Sequence, residues 1–195
     1  MHYVVCGSDP GTSNLGVSAL GNSAVEGLYK DNKTNKFTIL DSLKGLRTLN
    51  YSVSSGFVNV TLCGAKLSKK FYQKESYINL KFNCFFNGYF NNNCKHLLSA
   101  DVFLDVSGGD SFTDLYGKFR FNLVNAPKYF ALKNNIPLVL LPQTYGPFIS
   151  ESTKNEARNI VINSKMAWAR DLRSYEVLKQ LLGDNFDPNR HRVGV

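Results

Sequence analysis

Short apolar runs alternate with longer amphipathic stretches along the chain. The runs predict six strands, at residues 3–6, 37–40, 57–62, 102–106, 138–141 and 166–169. Helical spacing predicts helices at residues 13–28, 67–77, 84–98, 119–133, 150–163 and 172–182. This alternation is typical of a parallel sheet with helices on both faces. We therefore predict an α/β fold with a Rossmann-like, doubly wound, mostly parallel sheet.

Helix caps and turn residues mark the ends of several predicted elements. Ser13 or Asn14 is expected to cap the first helix, and Ser150 precedes the fifth. Gly183 stands where a left-handed residue commonly ends a helix. The polar stretch 49–55 is predicted to be a loop, and residues 191–195 to begin a further strand.

Two of the predicted strands lead into glycine-bearing polar turns. Residues 102–106 precede Gly108 and Gly109, and residues 138–141 precede a turn that contains Gly146. Ligands of open α/β sheets bind beyond the carboxyl ends of the strands. Backbone N–H groups in a glycine turn can face an anion without obstruction by side chains. We therefore predict a ligand site at this edge of the sheet.

Polar side chains around these turns are candidates for contact with a ligand. Asp110 and Asp114 share one face if their segment is helical, and either could position or deprotonate an acceptor hydroxyl. Gln143 and Thr144 could form hydrogen bonds with a sugar or a phosphate, and Tyr145 could stack on a sugar ring. The alternatives are that Asp110 caps backbone donors and that Tyr145 covers the end of the sheet.

Arg170 directly follows the last of the six predicted strands. A guanidinium group at the carboxyl edge of a sheet can hold a phosphate or carboxylate with two parallel hydrogen bonds. Ser174 follows in the same segment. The alternative for Arg170 is an ion pair with Asp171 or Asp110.

Composition and charge exclude several classes of protein. The 195 residues carry a net charge of +8, which favours anionic partners, but no nucleic-acid-binding signature accompanies it. No apolar run approaches the roughly 20 residues of a membrane span, and the opening residues lack a secretory pattern, so we expect a cytoplasmic protein. The four cysteines have no metal-ligand spacing and are expected to be reduced thiols. Neither a dinucleotide-binding fingerprint nor a nucleophile elbow occurs.

Four motifs occur in series and carry a family resemblance. They are SNLGVSALGNSAV, SGGDSFTDLYG, LPQTYGPF and AWARDLRSYEVLKQLL, within residues 8–183. Together they resemble the polysaccharide pyruvyl transferase family. The resemblance implies transfer of a pyruvyl group from phosphoenolpyruvate to a pair of sugar hydroxyls of an exopolysaccharide or cell-wall glycan. A ketal forms, phosphate is released, and no cofactor or metal ion takes part.

The resemblance also implies roles for particular residues. Gly108, Gly109 and Asp110 would face the catalytic cleft, and Asn14 and Gly16 would line its acceptor side. Arg170, in an arginine-acid-x-x-serine segment that ends at Ser174, would contact phosphoenolpyruvate.

Members of the family are about twice as long and fold as two facing Rossmann-like halves of the glycosyltransferase-B type. We therefore expect residues 1–189 to form the N-terminal domain and residues 190–195 to begin a strand or a crossing into a second domain. On this expectation the chain is a fragment or a natural half, and it is inactive alone if a second half supplies the catalytic histidine.

Two other functions stay open from the sequence. The chain could be half of a nucleotide-sugar glycosyltransferase, or a non-catalytic domain that binds a glycan or a partner. The expected partners are phosphoenolpyruvate and a glycan or lipid-linked sugar, with action at the inner face of the membrane as a second location. A homo-oligomer is also left open.

Overall fold

A computed structural model describes residues 1–54 and 56–194 and shows an α/β fold with eight strands, most of them parallel to their neighbours. The strands are β1 (His2–Cys6), β2 (Lys36–Asp41), β3 (Leu46–Val53), β4 (Gly56–Gly64), β5 (Val102–Asp105), β6 (Leu138–Gln143), β7 (Met166–Ala169) and β8 (His191–Val193). The α-helices of the described residues are α1 (Leu15–Asp31), α2 (Tyr77–Cys84), α3 (Asn92–Leu98), α4 (Gly117–Lys133), α5 (Glu151–Asn163) and α6 (Leu172–Leu182). The prediction of a Rossmann-like, doubly wound fold is confirmed.

Contacts group the chain into two compact units, Met1–Phe103 and a second that begins at Leu104. In the first unit the strand order is β3-β4-β2-β1. β1 runs parallel to β2, β2 runs parallel to β4, and β3 is antiparallel to β4 at the edge. Val5, Ile39 and Val60 on the inner strands are completely buried. Strands covered on both faces carry such continuous apolar runs.

The second unit contains the strand order β5-β6-β7-β8. β7 runs parallel to both β6 and β8. Leu140 on β6, Ala167 on β7 and Leu178 on α6 are completely buried and form part of its core. Because parallel strands end at the same edge, the loops after these strands are brought together.

The local patterns predicted several helices well. α6 and β7 have their predicted bounds, and α1, α4 and α5 lie within two or three residues of theirs. Asn14 caps α1 and Ser150 caps α5, each through a side-chain oxygen that accepts backbone N–H groups. Gly183 follows α6 with a φ of 54°, a conformation that favours glycine.

The predicted helix at residues 67–77 is wrong. The segment is a loop closed at its base, where the Lys66 N–H donates to the Glu75 carbonyl and the Tyr77 N–H donates to the Lys66 carbonyl. These bonds satisfy backbone groups that a helix would have satisfied internally. The predicted helix at residues 84–98 is only partly correct, because α3 begins at Asn92.

The predicted loop at residues 49–55 is also wrong for residues 49–53, which belong to a strand. Ser54 lies in a turn, as predicted, and Ser55 lies outside the described residues. β3 occupies Leu46–Val53 and pairs with β4 over its whole length. Only Tyr51 and Val53 on β3 are buried. An antiparallel edge strand can face water on one side, so its Ser and Asn content does not prevent pairing.

No helix in the described part of the chain is long and apolar enough to cross a bilayer. Within the described residues the cysteines, at positions 6, 63, 84 and 94, form no disulfide bond.

Candidate functional site

Three chain segments meet at the carboxyl edge of the strands in the second unit. β5 leads into the turn Ser107–Gly109, β6 leads into Thr144, and β7 leads into Arg170. The Thr144 N–H donates to the Gly109 carbonyl at 3.0 Å, and the Arg170 N–H donates to the Gln143 carbonyl at 3.1 Å. The two glycine turns and the segment of Arg170 are therefore joined side by side through their backbones.

The first glycine turn has a backbone that only particular residues adopt easily. φ is 44° at Ser107, 60° at Gly108 and 85° at Gly109. Left-handed values at consecutive positions cost little for glycine and more for residues with a side chain. At Gly108 and Gly109 a ligand can also approach the main chain closely.

The segment after this turn is not helical. α4 begins only at Gly117, so Asp110 and Asp114 do not share a helix face, and that prediction is wrong. The Gly146 N–H donates to the Phe112 carbonyl at 3.0 Å. This second hydrogen bond between the two turns holds the segment across the end of the sheet. A helix that began directly after Gly109 would have directed the segment away from the second turn.

A buried polar network lies directly behind the two turns. Asp105 and Lys128 are both completely buried, with Nζ of Lys128 3.1 Å from Oδ1 of Asp105. Lys128 also donates to the Ser107 hydroxyl and to the Val124 carbonyl, each at 2.8 Å. The Ser107 hydroxyl donates to Asp105 at 2.7 Å, and the Gln143 amide donates to Asp105 at 3.1 Å.

This network connects the ends of β5 and β6 to the middle of α4. A buried charge is tolerated when it is paired and its remaining hydrogen bonds are made. Here the paired charges hold Ser107 at the start of one turn and Gln143 before the other. The two turns thus have a fixed separation, set from beneath by Lys128 and Asp105.

Asp110 and Asp114 occupy different environments. Asp110 is exposed, and its carboxylate accepts long hydrogen bonds of 3.4 Å from the hydroxyls of Ser111 and Tyr116. Asp114 is buried and accepts from the Ile149 N–H at 2.8 Å and the Ser150 N–H at 3.0 Å.

The hydrogen bonds of Asp114 determine its ionisation. Burial alone would raise the pKa of Asp114, but hydrogen bonds from the Thr153 hydroxyl and from the Ile149 and Ser150 N–H groups outweigh it, so the pKa is lowered. The ionised carboxylate therefore fastens the end of the second glycine turn to the start of α5.

The three polar candidates of the second turn are also distributed differently. Gln143 is completely buried in the network described above. Thr144 is half-buried at the edge, with its hydroxyl 3.5 Å from the Gly109 carbonyl. Tyr145 is buried and donates its hydroxyl to the Trp168 carbonyl at 3.2 Å. Burial, together with the nearby charge of Asp105, raises the pKa of Tyr145 well above its usual range.

Arg170 and Ser174 lie at the start of α6. The Arg170 side chain is 51% exposed, and its Nε is 3.2 Å from the Asp171 carboxylate. Asp171 caps α6 by accepting the Ser174 N–H at 2.7 Å, and Ser174 is buried. Hydrogen bonds from the Ser174 N–H and hydroxyl, and then the charge of Arg170, lower the pKa of Asp171. Arg170 is thus presented from a fixed helix start with its guanidinium toward solvent.

Asn14 and Gly16 lie in the first unit, at the start of α1. Oδ1 of Asn14 accepts the Gly16 N–H at 3.0 Å and the Val17 N–H at 3.3 Å. A Cβ atom at Gly16 would lie 3.3 Å from Oδ1 of Asn14, which is a tight contact. The capped turn thus favours a glycine at this position.

Sequence reasoning missed two cations on the first turn of α4. Arg120 is exposed on α4, with Nη2 3.5 Å from the Ser111 hydroxyl. Lys118, Asp114 and Ser152 help to line a cleft of about 330 Å³ at the start of α5. The signal was the run of Lys118 and Arg120 shortly after the SGGD turn, which places positive charge on the first turn of α4.

A larger cleft, of about 770 Å³, lies at the opposite edge of the strands in the same unit. It includes Leu138 at the start of β6, with Lys133, Lys165 and Arg190 among its cations. By volume alone, this cleft would be favoured as the ligand site over the smaller one. The glycine turns and the buried network lie at the carboxyl edge, where ligands of such sheets bind, so we assign the candidate site there. Among the described residues no cluster of three or more His, Cys, Asp and Glu side chains could hold a metal ion.

Comparisons with known proteins add the family. A search of curated proteins found no match. A family model described as polysaccharide pyruvyl transferase matches residues 14–188 and thus covers nearly the whole chain, from the cap of α1 to the residues before β8. All four motifs and the carboxyl-edge turns fall within or overlap this match. The chain therefore belongs to the polysaccharide pyruvyl transferase family.

Proposed function

We propose that the protein takes part in transferring the pyruvyl group of phosphoenolpyruvate to a sugar of an exopolysaccharide or cell-wall glycan. The carboxyl edge of the second unit binds the phosphoenolpyruvate. The observation that supports this proposal is the hydrogen-bonded meeting of the two glycine turns with the segment of Arg170, inside the region that the family model covers.

Phosphoenolpyruvate carries two anionic groups, a phosphate and a carboxylate. Arg170 offers a planar guanidinium group that can form two parallel hydrogen bonds with either of them. Arg120 supplies a second positive charge next to Ser111, shortly after the first glycine turn. Gly108 and Gly109 allow an anion to approach the backbone between them, and Thr144 adds a hydroxyl at the same edge.

The acceptor sugar needs a group that orients its hydroxyls as they attack. We assign this role to Asp110, since its carboxylate is exposed beside the glycine turn and its present hydrogen bonds are long. Asp114, Gln143, Tyr145 and Ser174 are assigned as positioning residues, because their polar atoms hold the turns and helix starts in place. Asn14 and Gly16 are proposed to contact the acceptor, a role that the family resemblance alone supports.

In the proposed reaction the methylene carbon of phosphoenolpyruvate accepts a proton, and the neighbouring carbon, which bears the phosphate, becomes an electrophile. Two sugar hydroxyls add to that carbon in turn and each loses its proton. The carbon–oxygen bond to the phosphate breaks, one released proton replaces the proton consumed and the other leaves with the phosphate, and a ketal results. Positive charge at the donor phosphate stabilises the departing group in the transition state. The residues assigned here bind the donor and orient the acceptor, and they need neither a metal ion nor a cofactor.

Calorimetric titration with phosphoenolpyruvate tests the assignment. Replacing Arg170 with Ala is expected to weaken binding about tenfold or more, since a charge-assisted bidentate contact is lost. The control is Arg173→Ala, which removes the same charge from an exposed position on α6 and should change affinity less than about twofold. Equal affinities for the wild type and Arg170→Ala would contradict the assignment.

Titration with a nucleotide sugar separates the proposal from a glycosyltransferase. Phosphoenolpyruvate should bind, and the nucleotide sugar should not displace it. Tight binding of the nucleotide sugar with no response to phosphoenolpyruvate would favour the glycosyltransferase instead.

A further inference from the structure

A chain of aromatic rings is exposed on the first unit, around α2 and the turn before α3. Ring centroids are 5.3 Å apart for Phe71 and Phe82, 5.4 Å for Phe82 and Phe86, 5.6 Å for Phe86 and Phe90, and 4.9 Å for Phe90 and Tyr89. These five rings and Phe85 form what we call the aromatic patch. Their exposed fractions range from 46% at Phe86 to 86% at Phe85. Contiguous exposed apolar surface of this kind marks an interaction site.

Side-chain hydrogen bonds hold the backbone under the aromatic patch. The Asn91 side chain donates to the Lys74 carbonyl at 2.8 Å and to the Asn79 amide oxygen at 2.7 Å, and it caps α3 by accepting the Cys94 N–H. The Asn79 amide donates to the Phe71 carbonyl at 2.7 Å. The rings are therefore presented outward by a defined scaffold.

Gly88 makes the tight turn within the patch possible. Its φ is 73°, and a Cβ atom there would lie 2.4 Å from the backbone nitrogen of Lys95. No side chain fits without a backbone shift. The turn therefore fixes Phe85 and Phe86 on one side of Gly88 and Tyr89 and Phe90 on the other.

The charge around the aromatic patch has one sign. Residues 66–95 contain six lysines, at positions 66, 69, 70, 74, 81 and 95, and a single acid, Glu75. Glu75 is buried and accepts the Gly45 N–H at 3.2 Å. In the described part of the chain Lys69, Lys70 and Lys74 form no ion pair and are exposed. Exposed rings and unpaired lysines thus share one segment.

We propose that the aromatic patch and its lysines dock the protein on an anionic lipid bilayer. Aromatic rings favour the interface between lipid headgroups and acyl chains, and lysines are attracted to the negative surface of a membrane with acidic lipids. Charge complementarity supports this occupant, because an acidic bilayer offsets the lysines, whereas a second copy of the same segment would bring lysines against lysines. The contact is peripheral and independent of the proposed activity.

Co-sedimentation with lipid vesicles tests the proposal. The wild type should bind vesicles that contain phosphatidylglycerol. Its affinity for pure phosphatidylcholine vesicles should be at least about tenfold lower. Lys69→Glu/Lys70→Glu/Lys74→Glu should weaken binding to the anionic vesicles at least about tenfold, and added salt should weaken the wild type in the same direction. Phe85→Ser/Phe90→Ser should also lower the affinity for the anionic vesicles at least about tenfold.

The matched control is Phe57→Ser, which removes a ring that is 74% exposed at the start of β4 and outside the aromatic patch. It should bind vesicles as the wild type does. Phe85→Trp adds a fluorescent probe, and its emission should be quenched by brominated acyl chains more strongly than that of the wild type, in which Trp168 is the single tryptophan.

Three results would overturn the proposal. They are equal binding to neutral and anionic vesicles, absence of binding to both, and a dimer in solution that Phe85→Ser/Phe90→Ser dissociates while vesicle binding is unchanged. The last result would assign the aromatic patch to a second copy of the chain.

Discussion

Two regions of the molecule reverse the usual sorting of side chains. Behind the glycine turns, Lys128 and Asp105 are completely buried. On the aromatic patch, Phe85 is 86% exposed. The buried charges are balanced by partners within the fold, so their position is explained by the structure of the turns. The exposed rings gain little from folding, so folding alone does not explain their position.

The largest expected effect concerns the buried pair. Lys128→Met leaves Asp105 buried without its counter-charge and should lower the free energy of unfolding by about 3–5 kcal/mol. Lys118→Met removes the exposed ion pair of Lys118 with Glu156 and should cost less than about 1 kcal/mol. Urea denaturation of both variants measures the difference.

A double variant distinguishes an unpaired charge from lost packing. Lys128→Met/Asp105→Leu removes both charges, and it should be more stable than Lys128→Met alone. A double variant that is less stable than the single one, or a single variant no worse than Lys118→Met, would show that the pair does not hold the turns.

The second prediction compares two phenylalanines. Phe112 is completely buried, with its ring 5.8 Å from that of Tyr145 and with Nζ of Lys128 4.9 Å above it. Phe112→Ala should cost about 3–5 kcal/mol. Phe85→Ala should change stability by less than about 0.5 kcal/mol. Thermal or urea unfolding that shows similar losses for both would mean that the aromatic patch belongs to the folding core.

The third prediction concerns acid. The folded-state pKa of Asp114 is lowered, so its contribution to stability is present above the unfolded-state pKa and is lost as the pH falls through the folded value. Asp114→Ala should cost about 1–3 kcal/mol at neutral pH and much less once the pH has fallen through the folded-state pKa of Asp114. Urea denaturation midpoints of the wild type and of Asp114→Ala, measured from neutral to acid pH, give the stability difference at each pH. A difference that does not change with pH would contradict the assigned hydrogen bonds.

The smallest expected effect separates capping from ligand contact at Asn14. Asn14→Ala should cost about 1 kcal/mol of stability, whereas Asn14→Ser should retain most of it, because serine also accepts the first backbone N–H groups of a helix. If Asn14 also contacts the acceptor, the serine variant keeps its stability but has a raised KM for the acceptor. An unchanged KM would leave Asn14 as a cap alone.

The sequence predicted those parts of the fold whose signals are local. α6 has its predicted bounds because its apolar spacing and the capping residues Asp171 and Gly183 lie within the segment itself. The helix predicted at residues 67–77 is wrong because a backbone hydrogen bond between Lys66 and Glu75 closes this segment into a loop. The helical spacing of its lysines does not reveal that hydrogen bond. β3 was missed because its partner β4 supplies the pairing that its own composition does not indicate.

The candidate site divides in the same way. The two glycine turns could be predicted because each follows an apolar strand, and parallel strands end together. The pairing of Lys128 with Asp105 could not be predicted from the sequence. Each residue lies within an otherwise apolar segment, and only the packing of α4 against the end of the sheet brings them into contact. The one feature of the sequence that could have indicated the buried pair is Lys128 itself, a lysine between apolar residues such as Ala126 and Phe130, which are buried.

The most direct test of the central claim is a map of backbone-amide chemical shifts on addition of phosphoenolpyruvate. The account predicts that the largest shifts fall at the carboxyl edge, on Gly108, Gly109, Thr144 and Arg170. Shifts confined to the cleft of Lys133, Lys165 and Arg190, or no shifts at saturating phosphoenolpyruvate, would contradict it.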